Sequence, residues 1–421
     1  MLKSIEDSFY GCIIGGAIGD ALGNPIEGYS SEDIRRKYGD LKDYVANWDL
    51  PGTYTDDTEL TVLLITSLTE VGAFSVDDLS RRFVRWLPKA NSFGLATQEA
   101  CINLSRGRYP SESGIDSAGN GAAMRIAPLG LLYSHPNDLS LLKKTTVKSS
   151  KITHTDPKSI AGALAISGSI AYLVQNKDGF KKNDYTRFIT RLVSKYSSDL
   201  EKKLIYISEN LNRLNPSYIG TSAYVLESVP FAIYCFLKSP NNFENSVLLA
   251  LNSGGDTDTN TSMTASLSGC LNGYSKIPQK WIESLRGREE LEKLIENLWN
   301  LYLFNLPDSR ELQIYVTELE YRKVRDDPEL KATLAGKLGA LYSLNGNNSQ
   351  ERLILHEGLN CRDISEGTRT KLCLLLAKSY YESGEDGLAL SILNSIQSKD
   401  IFLKIAVEVM KRDKSLKALS I

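Results

Sequence analysis

The acidic segment at residues 252–261 carries the densest set of chemically useful side chains in the sequence. It reads Asn-Ser-Gly-Gly-Asp-Thr-Asp-Thr-Asn-Thr, so two carboxylates, Asp256 and Asp258, stand one residue apart among small polar neighbours. Acidic oxygens at alternate positions suit a hard divalent cation. The two preceding glycines allow positive φ and a close approach of the backbone. We therefore expect a cation site here, with partners supplied by other parts of the chain.

Two simpler explanations of this segment fail on its spacing. Counted from Asp256, an EF-hand loop needs glycine at position six and glutamate at position twelve, and the chain has Thr261 and Leu267 there. A phosphatase with an Asp-x-Asp motif needs an apolar strand before it, whereas Asn-Ser-Gly-Gly is polar. What remains is a cluster of carboxylates and threonine hydroxyls at helix starts, with two ions about 3.5–4 Å apart. All-oxygen ligation favours Mg²⁺ or Mn²⁺ over zinc.

A second acidic segment, Thr-Asp-Asp-Thr at residues 55–58, follows a Pro-Gly turn and precedes an apolar run. Thr55 or Asp56 is placed to cap the helix that follows, and Glu59 lies three residues after Asp56, as in a capping box. A cap needs only one of these polar side chains. The segment therefore has two carboxylates left to face a ligand.

The first predicted helix, residues 4–23, has glycines four residues apart along one face. Each glycine costs a helix about 1 kcal/mol, so the stripe predicts a core helix packed closely against a neighbour. Its exit holds Asp20 and Glu27. Taken alone, each of these two carboxylates is most simply a surface charge.

Two further segments have residues suited to ligand contact. Residues 117–125, Ser-Ala-Gly-Asn-Gly-Ala-Ala-Met-Arg, form a glycine-rich loop whose amides suit an anion. Arg125 adds a guanidinium fork for phosphate or carboxylate; a plain loop with a surface arginine is the alternative. His154 lies in Thr-His-Thr-Asp before another helix, either as a structural neighbour of the helix cap or as a ligand contact.

Composition is that of an ordinary globular protein and excludes several classes. The 421 residues are 42% hydrophobic and 24% charged, with a net charge of −2, so no electrostatic footprint for nucleic acid or an anionic membrane is present. Six cysteines without a CxxC pair predict reduced thiols, and the start has no apolar signal-peptide segment. Three dispersed histidines are too few for a zinc cluster. We expect a cytoplasmic protein.

Apolar residues recur at spacings of three and four, and no segment alternates as a strand does, which predicts an all-α fold. The clearest helical patterns lie at residues 60–71, 76–86, 159–173, 225–236, 243–251 and 261–272. From residue 307 small residues become rare, and a stretch that includes Ala377, Tyr380, Gly384 and Ala389 resembles a tetratricopeptide repeat. We predict a compact multi-helix domain, 1–306, followed by a helical-hairpin, repeat-like domain, 307–421. The second domain either recruits a protein partner or mediates self-association, or it only stabilises the first by packing.

Taken together, five motifs resemble the ADP-ribosylglycohydrolase family, which includes dinitrogenase reductase-activating glycohydrolase. They lie in the family's order at residues 15–27, 54–58, 119–125, 153–156 and 254–259. Each motif is weak alone, and five in order are highly specific. The resemblance implies an all-α catalytic domain with two Mg²⁺ or Mn²⁺ ions. It also implies hydrolysis of the bond between ADP-ribose and a modified protein side chain; a hydrolase of a small ADP-ribosyl conjugate, without a protein target, is an alternative.

Residue roles follow from the same resemblance. The implied metal ligands are Thr55, Asp56, Asp57, Asp256, Asp258 and Thr259. The implied catalytic residues are Glu27 and Asp57, and Asp20 and Asn24 are implied to support the turn after the first helix. The positions implied to line the ADP-ribose cleft are Gly119, Asn120, Gly121, Met124, Arg125 and His154. The acceptor linkage (arginine, serine or another) stays open. A reader that binds ADP-ribose without turnover is a further alternative, although the complete acidic set argues against it.

Overall fold

The computed structural model describes residues 2–46, 49–90, 92–306 and 310–396, and across these ranges the chain is helical without any strand. The predicted all-α fold is confirmed. In chain order the helices are α1 (Leu2–Gly23), α2 (Ser31–Tyr38), α3 (Asp56–Val71), α4 (Val76–Trp86), α5 (Leu95–Ser105), α6 (Gly121–Met124), α7 (Ala127–Leu132), α8 (Leu139–Lys151), α9 (Pro157–Gln175), α10 (Lys182–Val193), α11 (Ser198–Asn210), α12 (Val225–Lys238), α13 (Phe243–Leu251), α14 (Thr257–Asn272), α15 (Gln279–Ser284), α16 (Arg288–Asn305), α17 (Arg310–Lys323), α18 (Pro328–Leu344), α19 (Asn348–Leu359), α20 (Glu366–Glu382) and α21 (Asp386–Ser395).

The chain folds as two compact units, Lys3–Asn305 and the helices that follow Leu306. At the centre of the first unit, α1 runs antiparallel to α14 in close contact. A Cβ atom added to any of four α1 glycines would lie within 2.8 Å of an α14 carbonyl oxygen; the pairs are Gly11 with Gly269, Gly15 with Ala265, Gly19 with Thr261, and Gly23 with Thr257. The predicted packing role of the glycine stripe is confirmed. Because the helices are antiparallel, the end of α1 lies beside the start of α14.

Both α3 and α14 begin four residues earlier than the apolar pattern predicts. Their first helical residues are Asp56 and Thr257, where the pattern suggested Leu60 and Thr261. Polar residues with weak helix propensity form both first turns. The acidic residues therefore lie on helix starts and not in open loops.

Helix α9 is long and apolar enough to cross a membrane by length and composition alone. It begins at Pro157 after the capping residue Asp156, whose carboxylate accepts a hydrogen bond of 2.7 Å from the Lys158 amide. Of its apolar stretch, 83% is buried inside the protein. This burial is the environment expected of a core helix in a folded unit.

The second unit consists of α17–α21, in which each helix packs against the next. Its apolar core includes Ala332, Leu355, Leu372 and Leu376. Gly384 forms the turn between α20 and α21 with φ of +79°, a conformation that favours glycine. The region is helical, as predicted, while its tetratricopeptide character stays a prediction. Residues 307–309 and 397–421 of that predicted domain lie outside the described residues.

Candidate active and metal site

Three segments that are far apart in sequence meet where α3 and α14 begin. The Thr259 hydroxyl donates a 3.1 Å hydrogen bond to Asp57 Oδ2, and the Thr55 hydroxyl lies 3.5 Å from Asp258 Oδ2. Carboxylate oxygens of Glu27, Asp256 and Asp258 lie within 4.8 Å of one another. The structure therefore brings the predicted metal-ligating segments and Glu27 to one place.

Asp20 arranges the start of α3 from a different helix. It is fully buried, and its carboxylate accepts hydrogen bonds from the amides and hydroxyls of both Thr55 and Thr58, at 2.6–3.0 Å. The interpretation of Asp20 as a surface charge is wrong. The expected capping box within the segment is also wrong, since the Glu59 carboxylate instead accepts a hydrogen bond from the Trp86 indole. Because α1 supplies the cap, the carboxylates of Asp56 and Asp57 are not needed for it.

The two acidic residues of α3 have different surroundings. Asp56 Oδ1 accepts a 2.8 Å hydrogen bond from the Ser92 hydroxyl, and this serine also faces the Asp56 amide at 3.3 Å. Asp57 is buried, and its Oδ1 atom has no hydrogen-bond partner among the described residues. A buried carboxylate oxygen without a partner is costly. Asp57 Oδ1 is therefore placed as a cation ligand would be.

The loop that carries Glu27 is fixed to the glycines before Asp256. The Gly28 amide donates to the Gly255 carbonyl and the Gly255 amide donates to the Tyr29 carbonyl, both at 2.8 Å. Gly254 has φ of +76°, and a Cβ there would lie 2.5 Å from the Tyr29 carbonyl oxygen. These glycines thus allow the Glu27 loop to approach α14. Glu27 itself lies on the exposed side of the acidic cluster.

Arg125 serves the glycine-rich loop from inside the protein. It is fully buried, and its guanidinium donates to the Gly121 carbonyl at 2.6 Å and to the Thr153 hydroxyl at 2.7 Å. The same group lies over the Phe83 ring, 5.0 Å from its centroid. Both predictions for Arg125 are therefore wrong: its guanidinium is not directed at an anion site, and the residue does not lie on the surface. Arg125 holds the loop in place.

His154 lies behind the same loop. It is buried, and its Nδ1 atom lies 2.8 Å from the Thr153 hydroxyl. A Cβ at Gly121 would come within 2.8 Å of His154 Cε1, so only glycine leaves room for the ring. Burial, reinforced by the positive charge of Arg125, lowers the pKa of His154 to about 3. The histidine is therefore neutral and supports the loop.

Part of the main chain in the glycine-rich loop is already bonded. The Gly119 amide donates to the Ser117 hydroxyl at 3.2 Å, and the Asn120 amide donates to the Ala223 carbonyl at 3.1 Å. The Asn120 side chain reaches the acidic cluster and donates to Asp256 Oδ2 at 2.6 Å. Within the described ranges, the amides of Gly121 and Ala122 have no acceptor. Met124, at the end of α6, is buried.

Electrostatics at the acidic cluster are unfavourable without a counter-charge. Burial, followed by the charges of neighbouring carboxylates, raises the pKa of Asp57 and Asp258 well above the ordinary value. Partial burial and the charges of Asp256 and Asp56 also raise the pKa of Glu27. Among the residues the structure describes, no lysine or arginine forms an ion pair with these carboxylates. Such a donor set fits hard divalent cations.

Three further residues arrange the site, and of these only Asp20 was expected, through the resemblance, to have a supporting role. Asp20 and Ser92 orient α3, and the Thr221 carbonyl accepts a 2.9 Å hydrogen bond from the Asp256 amide. The sequence does carry a signal for Asp20, because it lies four residues after Gly16 and next to Gly19 on the closely packed helix. No comparable signal marks Ser92 or Thr221, since a loop serine and a loop carbonyl are common everywhere.

The fold and the site define an all-α protein with a partly buried, all-oxygen acidic centre beside a glycine-rich loop. Residues 1–306 match the ADP-ribosylglycohydrolase family, and the chain belongs to that family.

Relatives cover the first unit of the chain. An uncharacterised protein of Archaeoglobus fulgidus is 36% identical, over 71% of this chain and 98% of its own length. The human ADP-ribosylhydrolase ARH3 is 25% identical, over 70% of this chain and 93% of its own length. A solved structure described as an ADP-ribosylglycohydrolase-related protein complex superposes with a TM-score of 0.61 at 26% identity, covering 71% of this chain and 99% of the other.

Proposed function

We propose that this protein is a metal-dependent hydrolase that removes ADP-ribose from modified protein side chains. The observation that carries the proposal is the convergence of Glu27, the start of α3 and the start of α14 into one acidic cluster without a paired cation among the described residues. The membership of the chain in the ADP-ribosylglycohydrolase family supports the reaction class.

Two Mg²⁺ or Mn²⁺ ions would be held by the oxygens of the two helix starts: Thr55, Asp56, Asp57, Asp256, Asp258 and Thr259. When bound, such ions supply Lewis-acid chemistry that orients ribose hydroxyls and activates water. The unpartnered Asp57 Oδ1 fits this role, since it is the buried site oxygen that most needs a positive partner.

Glu27 is proposed as the residue that positions the attacking water and takes its proton. The bond from ribose C1 breaks through an oxocarbenium-like state, which a nearby carboxylate stabilises. Glu27 lies on the exposed side of the cluster, where substrate and water enter.

The glycine-rich loop is proposed to bind the diphosphate. The amides of Gly121 and Ala122 are the donors left for it, because those of Gly119 and Asn120 are already bonded. A buried Arg125 and a neutral His154 hold this loop from behind, so that its amides need little rearrangement when the ligand binds.

The direct test is release of free ADP-ribose from ADP-ribosylated protein. We expect release with Mn²⁺ or Mg²⁺, loss on adding EDTA, and recovery when metal is restored. A panel of arginine-linked, serine-linked and small-molecule ADP-ribose conjugates would identify the substrate. Turnover of small conjugates alone would redirect the proposal to a metabolite hydrolase. Tight binding of ADP-ribose without turnover of any conjugate would make the protein a reader.

A matched pair of variants tests the role of Glu27. Glu27→Gln keeps the shape of the side chain but removes the proton acceptor, and we expect release to fall about a hundredfold or more. Glu32→Gln changes an exposed glutamate on the neighbouring α2 and should leave release unchanged. Full activity of Glu27→Gln with metal bound would remove Glu27 from the mechanism.

We also propose that α17–α21 bring modified protein targets to the first unit. Deleting residues 307–421 should then preserve turnover of a small conjugate while lowering turnover of a modified protein. Equal loss on both substrates, with insoluble protein, would instead support a packing role.

A further inference from the structure

One short stretch of main chain contacts both the acidic start of α14 and the glycine-rich loop. It consists of residues 219–224, here called the bridging segment, which lead into α12. The Thr221 carbonyl accepts hydrogen bonds from the Asp256 amide at 2.9 Å and from the Asn260 side chain at 2.8 Å. The Ala223 carbonyl accepts from the Asn120 amide at 3.1 Å. Two carbonyls of this segment therefore link the acidic start of α14 to the glycine-rich loop, in addition to the direct hydrogen bond from the Asn120 side chain to Asp256 Oδ2.

One cation holds the first residue of the bridging segment and the first turn of α12 that follows it. Lys203, on α11, donates from its ammonium group to the Ile219 carbonyl at 2.7 Å and to the Leu226 carbonyl at 2.8 Å. Hydrogen bonds from a charged donor are among the stronger ones in proteins. Lys203 thereby closes the loop at its base.

The middle of the bridging segment is held by one carboxylate. Glu227, on α12, accepts hydrogen bonds from the Ser222 hydroxyl at 2.6 Å and the Ser222 amide at 3.2 Å. Gly220 has φ of +85°, and a Cβ there would lie 2.4 Å from the Glu227 carboxyl carbon. The carboxylate is therefore packed directly against the segment that it orders.

We propose that Lys203 and Glu227 are positioning residues of the active site. They clamp the bridging segment so that Asp256 and the glycine-rich loop are held at the separation that the metal ions and the ADP-ribosyl group require. The hydrogen bonds of both side chains end within residues 219–226, so both act through the segment. This inference rests on the proposed function.

The first test replaces the cation. Lys203→Met keeps the length and packing of the side chain but removes its donors, and Lys202→Met changes the adjacent exposed lysine of α11 as the control. Calorimetric titrations of the full chain would measure the dissociation constants of Mn²⁺ and, at saturating Mn²⁺, of ADP-ribose. We expect both constants to rise about tenfold in Lys203→Met, the size of effect seen for residues that orient ligands from behind, and to stay unchanged in Lys202→Met.

The second test replaces the carboxylate and includes a rescue. Glu227→Ala removes the acceptor for Ser222 and should weaken binding of both ligands, whereas Glu227→Gln retains an acceptor oxygen and should restore both constants to within about twofold. Since the Glu227 contacts to Ser222 lie near the surface, these variants should fold even where Lys203→Met does not.

The outcomes separate the two proposals. If wild-type protein binds Mn²⁺ and ADP-ribose, and the Lys203 and Glu227 variants bind them equally well while only their thermal unfolding midpoints fall, the positioning role is overturned and the proposed function stands. If the wild type binds neither ligand, the proposed function is overturned and the positioning role with it.

Discussion

The two helix starts at the site are built differently from three helix starts of the second unit. In the second unit, α18, α19 and α20 are preceded by Asp327, Asn347 and Ser365, and each of these side chains accepts a hydrogen bond from the amide three residues later. At the site, α3 and α14 are preceded by Thr55 and Asp256, which make no side-chain cap of this kind. The local caps serve stability alone, while the site helices leave their first polar residues for other partners.

This difference has an energetic cost at the site. Asp20 serves the amides of α3 from another helix, and Asp57, one of the carboxylates that it frees, is repelled by the charges of Asp56 and Asp256. Burial and mutual repulsion then oppose the ionisation of Asp57 and Asp258. The first unit is therefore expected to gain stability when divalent cations bind, and the second unit is not. Four predictions test this contrast, from the largest expected effect to the smallest.

Replacing one carboxylate of the cluster should have opposite effects on function and stability. We expect Asp57→Asn to lower metal-dependent ADP-ribose release about a hundredfold or more, because a ligand oxygen with charge is lost. The same change should raise the unfolding midpoint of metal-free protein, because a repelling charge is gone. Asp327→Asn, at the cap of α18, is the control and should change neither. A metal-free Asp57→Asn protein that is less stable than wild type would contradict the repulsion argument.

Adding one methyl group should have opposite signs in the two units. Gly23→Ala places a Cβ 2.3 Å from the Thr257 carbonyl oxygen, so α1 and α14 must separate, at a cost of about 3 kcal/mol. Gly367→Ala, on α20, meets nothing closer than 4.0 Å and should stabilise its helix by about 0.5 kcal/mol. Native-state hydrogen exchange, read separately for each unit, would measure both. Similar losses in both variants would mean that the close α1–α14 contact is not special.

Acid should weaken the first unit through His154. Its pKa is about 3 in the folded protein against 6.5 for an ordinary histidine, so the unfolded chain binds the extra proton between these values. Stability from this residue is complete above pH 6.5 and falls as the pH drops below it, by about 2 kcal/mol between pH 7 and pH 5. The free energy of unfolding should be measured against pH for wild type and for His154→Gln. Because the carboxylates titrate alike in both proteins, the difference between the two curves gives the contribution of the histidine. Parallel profiles would show that His154 has the same pKa in the folded and the unfolded protein.

Remote and local caps should differ in strength. Asp20→Asn keeps one acceptor oxygen but places the amide NH2 group where Thr55 and Thr58 donate. We expect the free energy of unfolding to fall by about 2 kcal/mol. Ser365→Ala removes a local, exposed cap from α20 and should cost about 1 kcal/mol. Denaturation followed by circular dichroism would compare the two variants. Equal losses of stability in the two variants would mean that a cap supplied by another helix stabilises the protein no more than a cap supplied by the residue just before the helix.

Much of the helical framework could be predicted from sequence patterns. Helices Val76–Trp86 and Phe243–Leu251 have the predicted bounds, because their apolar spacing continues to both ends. The starts of α3 and α14 could not be placed, because their polar first turns form only with partners from elsewhere. Local propensity opposes a helix there, and tertiary contacts decide otherwise.

In the candidate site, too, some features could be predicted from the sequence and others depended on tertiary contacts. Residue types and spacing identified the acidic segments, since few other arrangements of neighbouring carboxylates and threonines have a use. Glu27 was identified only through the resemblance to the family, because alone it has the pattern of a surface charge. Residue types and spacing did not reveal that Arg125 and His154 lie behind the glycine-rich loop, because an arginine near glycines has the same sequence pattern whether it faces solvent or the interior.

The sequence by itself determined the helical class, the close packing of the glycine stripe and the set of residues able to hold a cation. These follow from local spacing and from the chemistry of single side chains. Only the tertiary structure decided which carboxylate caps a helix and which remain free, and which polar groups support the loop from inside. Hydrogen bonds such as those from Thr55 to Asp20 and from Thr259 to Asp57 join residues 35 and 202 positions apart. Burial and partner choice exist only once such distant segments are packed together.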